Sequence, residues 1–259
     1  GQHGVHPRIT GDVRLLNPVG PGWANPETGN FDDPRLKGRD DRPYGPLPQT
    51  WAKFRGSYAF GDQTILSYTV GDAEVLEALG TEGEAVTRTL EVGKSSRDLL
   101  ARVAPAGVAA VVGDDRVALA ERDGFALLRI PAGATPTRVK VVIGAKDASP
   151  PRPLKPLTAG GPRRWPEVLK TTVAAGTGDG PFVADTFGLP ERNPWNAQLR
   201  LTGFDFLPDG KRMAVCTWDG DVWLVGGLDD PAGNLTWQRI ASGLFQPLGL
   251  KVRDGQIFI

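Results

Sequence analysis

Few residues in this chain have the types and spacing that metal chemistry needs. Its two histidines, His3 and His6, lie in HGVHP and could offer a metal two ligands, with Asp12 close in sequence. No third ligand is evident, so a structural turn is the favoured interpretation. No metal site is therefore predicted.

The other reactive side chains are also predicted to be structural. The lone cysteine, Cys216, lies mid-strand with no histidine nearby in sequence, which favours a small buried hydrophobe over a nucleophile. No G-x-S-x-G, H-E-x-x-H or phosphate-loop motif occurs. Three acidic pairs lack the spacing of a calcium loop and are predicted to be solvated turns or Asx-turns: Asp32-Asp33, Asp40-Asp41 and Asp229-Asp230.

Aromatic side chains offer a different chemistry, since exposed rings can stack on sugar rings. Four candidates lie in the first part of the chain: Trp23, Tyr44, Trp51 and Tyr58. Burial in a core is the competing and favoured interpretation of the same rings. A sugar or polysaccharide ligand is therefore predicted only if some of these four rings are exposed.

Composition limits the classes of function. The 259 residues balance Lys+Arg 30 against Asp+Glu 30, so no overall charge favours nucleic acid. A single cysteine excludes an internal disulfide, a cysteine-rich zinc site and a C-x-x-C-H haem attachment. The longest apolar run, 99–112, contains Arg102 and Pro105 and is too short to span a membrane. The first residue, Gly1, and an ending inside the apolar QIFI predict an internal fragment of a longer protein.

Glycine and proline divide the sequence into four predicted parts. Residues 1–53 are a loop-rich segment predicted to wrap a domain, and 54–146 contain short alternating strands of an antiparallel β-sandwich or meander. A Pro/Gly-rich linker is predicted over 147–180. Residues 181–259 are predicted to begin a β-propeller. Arg163-Arg164, between prolines, is predicted to be solvated linker and not a phosphate site.

The last part contains a hairpin in the stretch MAVCTWDGDVWLV, residues 213–225. Asp219-Gly220 predicts a two-residue type I′ turn, which needs positive φ at both positions. Strand alternation then places Met213, Val215 and Thr217 on one face of a half-buried hairpin.

An internal repeat surrounds this hairpin. GFDFLPDGKRMAV (203–215) and GLKVRDGQIFI (249–259) share a glycine, alternating apolar residues, an Asp-Gly turn and a second strand. Their leading glycines, Gly203 and Gly249, lie 46 residues apart, close to the length of a four-stranded propeller blade. One blade and the start of a second are therefore predicted.

Longer stretches resemble a known combination of domains. GVHPRITGDVRLLNPVGPGWANPETGNFDDPRLKGRDDRPYGPLP and GDQTILSYTVGDAEVLE resemble a domain of unknown function in large secreted planctomycete proteins. NPWNAQLRLTGFDFLPDGKRMAVCTWDGDVWLV and GLFQPLGLKVRDGQIFI resemble the start of a glucose/sorbosone-dehydrogenase-like propeller, often fused to a c-type cytochrome domain.

The resemblance implies an all-β chain from a secreted or periplasmic quinoprotein. In such sugar dehydrogenases, pyrroloquinoline quinone accepts hydride from the substrate and electrons leave through haem c. Gln246 lies near the family's quinone-contacting glutamine, whereas the catalytic histidine belongs to later blades. The partners implied are the rest of the propeller and the cytochrome domain. The alternative is a carbohydrate- or protein-binding β module and interaction platform without catalysis of its own.

Overall fold

The computed structural model describes residues 19–259, so His3, His6 and Asp12 lie outside the described residues. The described part is all-β, as predicted, with one 3-10 turn at Lys155–Thr158 and no α-helix. None of its helical segments is long and apolar enough to cross a bilayer. The chain divides into two compact units, Gly1–Pro162 and Arg163–Ile259, and this division falls inside the predicted linker.

The first unit contains eleven strands, all paired antiparallel. They are β1 (Leu36–Lys37), β2 (Pro43–Tyr44), β3 (Ala52–Phe60), β4 (Gln63–Val70), β5 (Ala73–Glu82), β6 (Ala85–Val92), β7 (Leu99–Pro105), β8 (Ala109–Gly113), β9 (Ala118–Arg122), β10 (Phe125–Ile130) and β11 (Thr137–Ile143). A six-stranded sheet has the order β3-β4-β5-β6-β11-β8, a three-stranded sheet the order β7-β10-β9, and β1 pairs with β2.

The six-stranded and three-stranded sheets share one apolar core. Val75 and Leu90 contribute from the larger sheet, and Leu99 and Leu128 from the smaller one. Alternation explains the selection, because every second side chain of a strand points to the same face. Full burial of each such side chain stabilises the fold by roughly 1.5–3 kcal/mol. The apolar residues that alternate along each strand in the sequence are therefore the ones that form this core.

The segment before β3 is ordered over its described part and packs on the smaller sheet. Ala24 donates its backbone N–H to the carbonyl of Leu100 at 2.8 Å, and Arg102 donates to the carbonyl of Gly22 at 2.8 Å. The indole of Trp51 donates to the carbonyl of Trp23 at 3.1 Å. These contacts fix residues 22–24 beside β7 and join Trp51 to them.

The opposite face of the six-stranded sheet, here called the outer face, is partly covered by the predicted linker. Leu154 is fully buried against Ile65 and Ala78. Its backbone N–H donates to a carboxylate oxygen of Glu91 at 2.8 Å. The segment is therefore not a free connector, because its first half crosses this face and its second half contains a strand of the second unit.

The second unit contains eight strands. They are β12 (Leu169–Ala174), β13 (Thr186–Phe187), β14 (Leu201–Phe206), β15 (Arg212–Thr217), β16 (Val222–Gly226), β17 (Asn234–Ala241), β18 (Lys251–Arg253) and β19 (Gln256–Phe258). Six form an antiparallel sheet of order β13-β12-β17-β16-β15-β14, and β18 pairs with β19.

The β15–β16 hairpin is more buried than predicted. Met213 and Val215 join the apolar cluster with Trp223, and Cys216 on the other face is also fully buried. The hairpin lies inside the sheet, between β14 and β17, and both of its faces are covered. Burial of Cys216 agrees with its predicted role as a small buried hydrophobe.

The turn of this hairpin corrects the predicted type I′ geometry. Gly220 has a φ of +99°, whereas Asp219 is not among the residues with positive φ. Gly220 donates its N–H to the carbonyl of Thr217 at 3.0 Å, and Thr217 donates to the carbonyl of Asp221 at 2.9 Å. A type I turn followed by a left-handed glycine fits this pattern. The loop therefore contains one residue more than the predicted two-residue turn, and this additional residue, Gly220, takes the left-handed conformation alone.

The two repeated hairpins lie against each other. A Cβ on Gly203 would lie 2.8 Å from Cα of Gly249, so the repeat-related glycines allow a close backbone approach. Asp205 on β14 accepts hydrogen bonds from the N–H of Val252 and the ammonium of Lys251, both at 2.8 Å. The β18–β19 hairpin is therefore held on one face of β14.

Candidate functional site

A cleft opens on the outer face of the six-stranded sheet around one of the predicted stacking residues. Tyr58 on β3 pairs in register with Ile65 on β4, and cross-strand partners share a face. Ser67 and Thr69, two and four residues beyond Ile65, point to the same face. The sheet register therefore collects one aromatic ring and two hydroxyls in one place.

This tyrosine cleft has a volume of about 450 Å³. Its wall includes the side chains of Arg55, Tyr58, Ser67, Thr69, Glu74 and Lys155. Tyr58 is 43% exposed, so part of the residue is accessible to a ligand. The volume lies in the range of small-molecule sites.

The tyrosine cleft combines groups that can form hydrogen bonds with the aromatic ring of Tyr58. Neither Ser67 nor Thr69 donates a side-chain hydrogen bond within the described residues. Two cationic side chains, Arg55 and Lys155, and two carboxylates, Glu74 and Glu91, line the cleft, and Glu91 is also paired with Arg138. A neutral ligand with several hydroxyl groups satisfies such a wall without bringing an unpaired charge into it.

The other predicted stacking residues lie elsewhere. Trp23 is 8% exposed and Trp51 is 3% exposed, so neither ring offers a free face, and the structure gives them the core position that was the competing interpretation. Their burial follows from the packing of the wrapping segment on β7. Tyr44 on β2 is exposed but does not line the tyrosine cleft. Only Tyr58 combines exposure with a polar cavity.

A polar network inside the first core was not predicted. The indole of Trp23 donates to the hydroxyl of Tyr68 at 3.2 Å, and this hydroxyl donates to Glu77 at 2.7 Å. Arg88 donates from Nε to the other oxygen of Glu77 at 2.8 Å. Burial, with the adjacent Glu77 carboxylate, raises the pKa of Tyr68 well above its ordinary value. Glu77 and Arg88 occupy inward positions of β5 and β6, which is the signal in the sequence that could have revealed the network.

The acidic pairs behave as turns, as predicted. Asp33, Asp40 and Asp230 each accept the backbone N–H two residues ahead, at 3.1, 3.3 and 2.8 Å. The hydrogen bonds from Arg35 lower the pKa of Asp33. Within residues 19–259 no group of three or more histidine, cysteine or acidic side chains is placed to hold a metal ion.

The basic pair of the second unit is engaged in local contacts. Arg163 donates to the side-chain oxygen of Gln238 at 2.7 Å, and Arg164 lies 5.3 Å from the ring centre of Trp165. On another side of Trp165, the guanidinium of Arg239 lies 5.0 Å from the ring centre and pairs with the buried Asp221 at 2.5 Å. Both arginines of the basic pair are exposed, and these contacts hold Arg163 and Arg239 beside their neighbours within the second unit.

Gln246 lies in the exposed loop between β17 and β18. Its side chain is exposed and its φ is +45°, in the left-handed region that is uncommon for residues other than glycine. A quinone would need several cationic and amide donors around it, and Gln246 is the sole donor that the sequence predicted. Among the described residues, Gln246 alone therefore does not make a site for pyrroloquinoline quinone.

Comparison with known proteins shows that part of the chain is similar to a family. Residues 1–77 match a family described as a domain of unknown function (DUF6797). No curated protein and no solved structure matches the chain. The match covers the wrapping segment, β3, β4 and the beginning of β5, including Tyr58, Ser67 and Thr69. The predicted domain of unknown function is confirmed at this level.

Proposed function

We propose that the unit Gly1–Pro162 is a binding module for a sugar or polysaccharide, with the tyrosine cleft as its site. The observation that carries this proposal is the half-exposed ring of Tyr58 beside the hydroxyls of Ser67 and Thr69. An aromatic face covers the apolar CH groups of a sugar ring, while hydroxyl groups exchange hydrogen bonds with its edge.

The charges of the cleft support a neutral glycan. Arg55, Lys155, Glu74 and Glu91 all line the cleft, and Glu91 is also paired with Arg138 at 3.3 Å. The lining side chains therefore carry two positive and two negative charges. A strongly acidic polysaccharide would meet two carboxylates, and a polycation would meet two cationic side chains. The proposed ligand is therefore a neutral saccharide or a neutral stretch of a polysaccharide.

Affinity electrophoresis of the whole chain tests this proposal. We expect retardation in gels that contain a neutral polysaccharide from a panel of xylan, β-glucan and hydroxyethyl cellulose. Tyr58→Ala should weaken binding at least about tenfold, because stacking and desolvation of the ring are lost. Tyr44→Ala is the matched control, since Tyr44 is exposed outside the cleft. Absence of retardation on all three polymers, or equal loss in both variants, contradicts the proposal.

For the second unit, we propose one blade and the first hairpin of a second blade in a glucose/sorbosone-dehydrogenase-like propeller. The observation that favours this candidate is the contact between the repeat-related glycines Gly203 and Gly249. Neighbouring blades of a propeller bring equivalent inner strands together in this way. Strands β14 to β17 are consecutive neighbours within the six-stranded sheet, as the four strands of a blade would be, and β12 and β13 extend that sheet beyond β17.

The redox activity is proposed for a longer, secreted or periplasmic protein that carries this chain. Pyrroloquinoline quinone would supply the oxidation of a sugar or alcohol, and a c-type haem domain would accept the electrons. The test is dye reduction by that longer protein after reconstitution with the quinone, across a panel of aldoses. No turnover on any aldose rejects the redox proposal and leaves the binding module untouched.

A further inference from the structure

A second cleft lies on the same outer face, at the other end of the strands. Its volume is about 490 Å³, and its wall includes Gln63, Gly80, Thr87, Thr89 and Lys140. Residues 149–152 border this cleft, while residues 155 and 158 border the tyrosine cleft. The covering segment therefore separates two cavities. We call the second one the threonine cleft.

Two threonines form the floor of the threonine cleft. Thr87 and Thr89 occupy alternate positions of β6 and therefore point to the same face. They are only 5% and 7% exposed, yet neither hydroxyl makes a side-chain hydrogen bond within the described residues. The side-chain oxygen of Gln63, in the same wall, is buried and has no hydrogen-bond partner there. A buried acceptor without a partner favours a ligand that donates a hydrogen bond.

The two charged groups nearest the covering segment, Lys140 and Glu82, are already paired. Lys140 donates its ammonium protons to Glu82 at 2.5 Å and to the carbonyl and hydroxyl oxygens of Ser149 at 2.8 and 2.9 Å. Glu82 also accepts hydrogen bonds from the N–H and the hydroxyl of Ser149. At the rim, Asp62 and Arg152 add one charge of each sign to the wall. The four charged side chains of the wall sum to zero, so its net charge favours neither an anionic nor a cationic ligand.

A glycine keeps the space beside the floor open. A Cβ on Gly80 would lie 3.1 Å from the hydroxyl oxygen of Thr87. The φ of Gly80 is not in the left-handed region, so an alanine is compatible with the strand. A single methyl group at this position would therefore occupy part of the cleft with little change in the backbone.

We propose that the threonine cleft binds one neutral polyhydroxylated molecule, such as a monosaccharide or a cyclitol. The hydroxyls of Thr87 and Thr89 exchange hydrogen bonds with ligand hydroxyls, and the oxygen of Gln63 accepts a further one. This site stands on its own residues and does not depend on the tyrosine cleft.

Methyl NMR of the whole chain tests the site. The protein is titrated with D-glucose, D-galactose, D-xylose and myo-inositol while the methyl signals of Thr87 and Thr89 are followed. We expect saturable shifts with at least one probe. Thr87→Val and Thr89→Val keep the side-chain shape and remove one hydroxyl each, and each should weaken binding about tenfold, with the remaining threonine methyl as the reporter. Gly80→Ala should weaken binding by a similar factor.

Two controls separate this site from the tyrosine cleft. Thr69→Val and Tyr58→Ala alter only the tyrosine cleft and should leave the titration of Thr87 and Thr89 unchanged. The proposal is overturned if none of the four probes gives a saturable shift, or if both valine variants bind as the parent chain does. It is also overturned if Tyr58→Ala abolishes the shifts, because the ligand then binds in the other cleft.

Discussion

Replacing Arg88 by methionine is expected to destabilise the first unit by about 3 kcal/mol. Arg88 pairs with Glu77, whose side chain is only 8% exposed, and its Nη1 also donates to the carbonyl of Val103 on β7 at 3.3 Å. Arg88→Met leaves the Glu77 carboxylate buried, with the hydroxyl of Tyr68 as its one remaining side-chain donor. Loss of one partner from a buried ion pair costs about 3–5 kcal/mol, and the 21% exposure of Arg88 places this case at the lower end.

The expected loss comes from the uncompensated charge of Glu77, and a second substitution tests that cause. Glu77→Gln removes the charge but keeps an oxygen that can accept from Tyr68. The double variant Glu77→Gln/Arg88→Met should therefore recover at least about 1 kcal/mol relative to Arg88→Met. Simple additivity would instead make the double variant less stable than either single variant.

Urea unfolding followed by fluorine NMR of fluorotryptophan-labelled protein measures these energies. The signal of Trp23 reports the first unit, because this ring belongs to its core. The matched control is Arg129→Met, since Arg129 pairs with Asp98 in an exposed ion pair that is worth at most about 1 kcal/mol. A cost below 1 kcal/mol for Arg88→Met, or no recovery in the double variant, refutes the reasoning.

Three further predictions concern the outer face and the repeated hairpins. Hydrogen bonds from Lys140 and Ser149 hold the pKa of Glu82 at about 2, below its ordinary value of 4.5, so this carboxylate stabilises the fold above pH 4.5 and loses that effect as the pH falls toward 2. The Tm of Glu82→Gln, measured from pH 7 to 2, should fall less steeply than that of the parent chain. Leu154→Ala should cost about 2–5 kcal/mol in urea unfolding, because it opens a cavity against the sheet. Gly203→Ala should cost about 1–3 kcal/mol in the same assay, because its methyl group meets the opposing hairpin.

Each of these predictions has an outcome that contradicts it. Parallel acid profiles for Glu82→Gln and the parent chain would show that this carboxylate carries no pH-dependent stability. A loss below 1 kcal/mol for Leu154→Ala would mean that its segment does not pack on the sheet. Gly249→Ala is the control for Gly203→Ala, because a Cβ on Gly249 meets nothing within 4 Å. Equal effects of the two alanines would argue against the close approach of the hairpins.

Much of the strand pattern could be predicted from the sequence, whereas the turns show where local reasoning fails. Strands β3 to β11 all lie within or next to the region 54–146 that was predicted to contain short alternating strands, because these strands have a buried inner face and turn residues between them. Asp254-Gly255 does form the two-residue turn with positive φ at both positions, but Asp219-Gly220 does not. The same dipeptide adopts both geometries, since the pairing of the flanking strands determines how many residues the turn contains.

The aromatic candidates for sugar binding also show which properties can be predicted from local sequence and which cannot. The sequence indicates that Trp23, Trp51 and Tyr58 are aromatic and lie near predicted strands, but not which rings are covered. Trp23 contacts Tyr68, 45 positions later, and Trp51 contacts the carbonyl of Trp23 across 28 positions. Tyr58 stays open because its face of the sheet is only partly covered.

The sequence by itself determined an all-β chain, the alternation of its strands, its turn residues and its internal repeat. Those properties follow from local preferences, in which each residue responds to its immediate neighbours. Only the tertiary structure decided that the predicted linker crosses the outer face and leaves two clefts, and that Thr87 and Thr89 share the floor of one of them. Alternation assigns side chains to a face of a sheet, but the packing of distant segments decides which parts of that face are buried and which can meet a ligand.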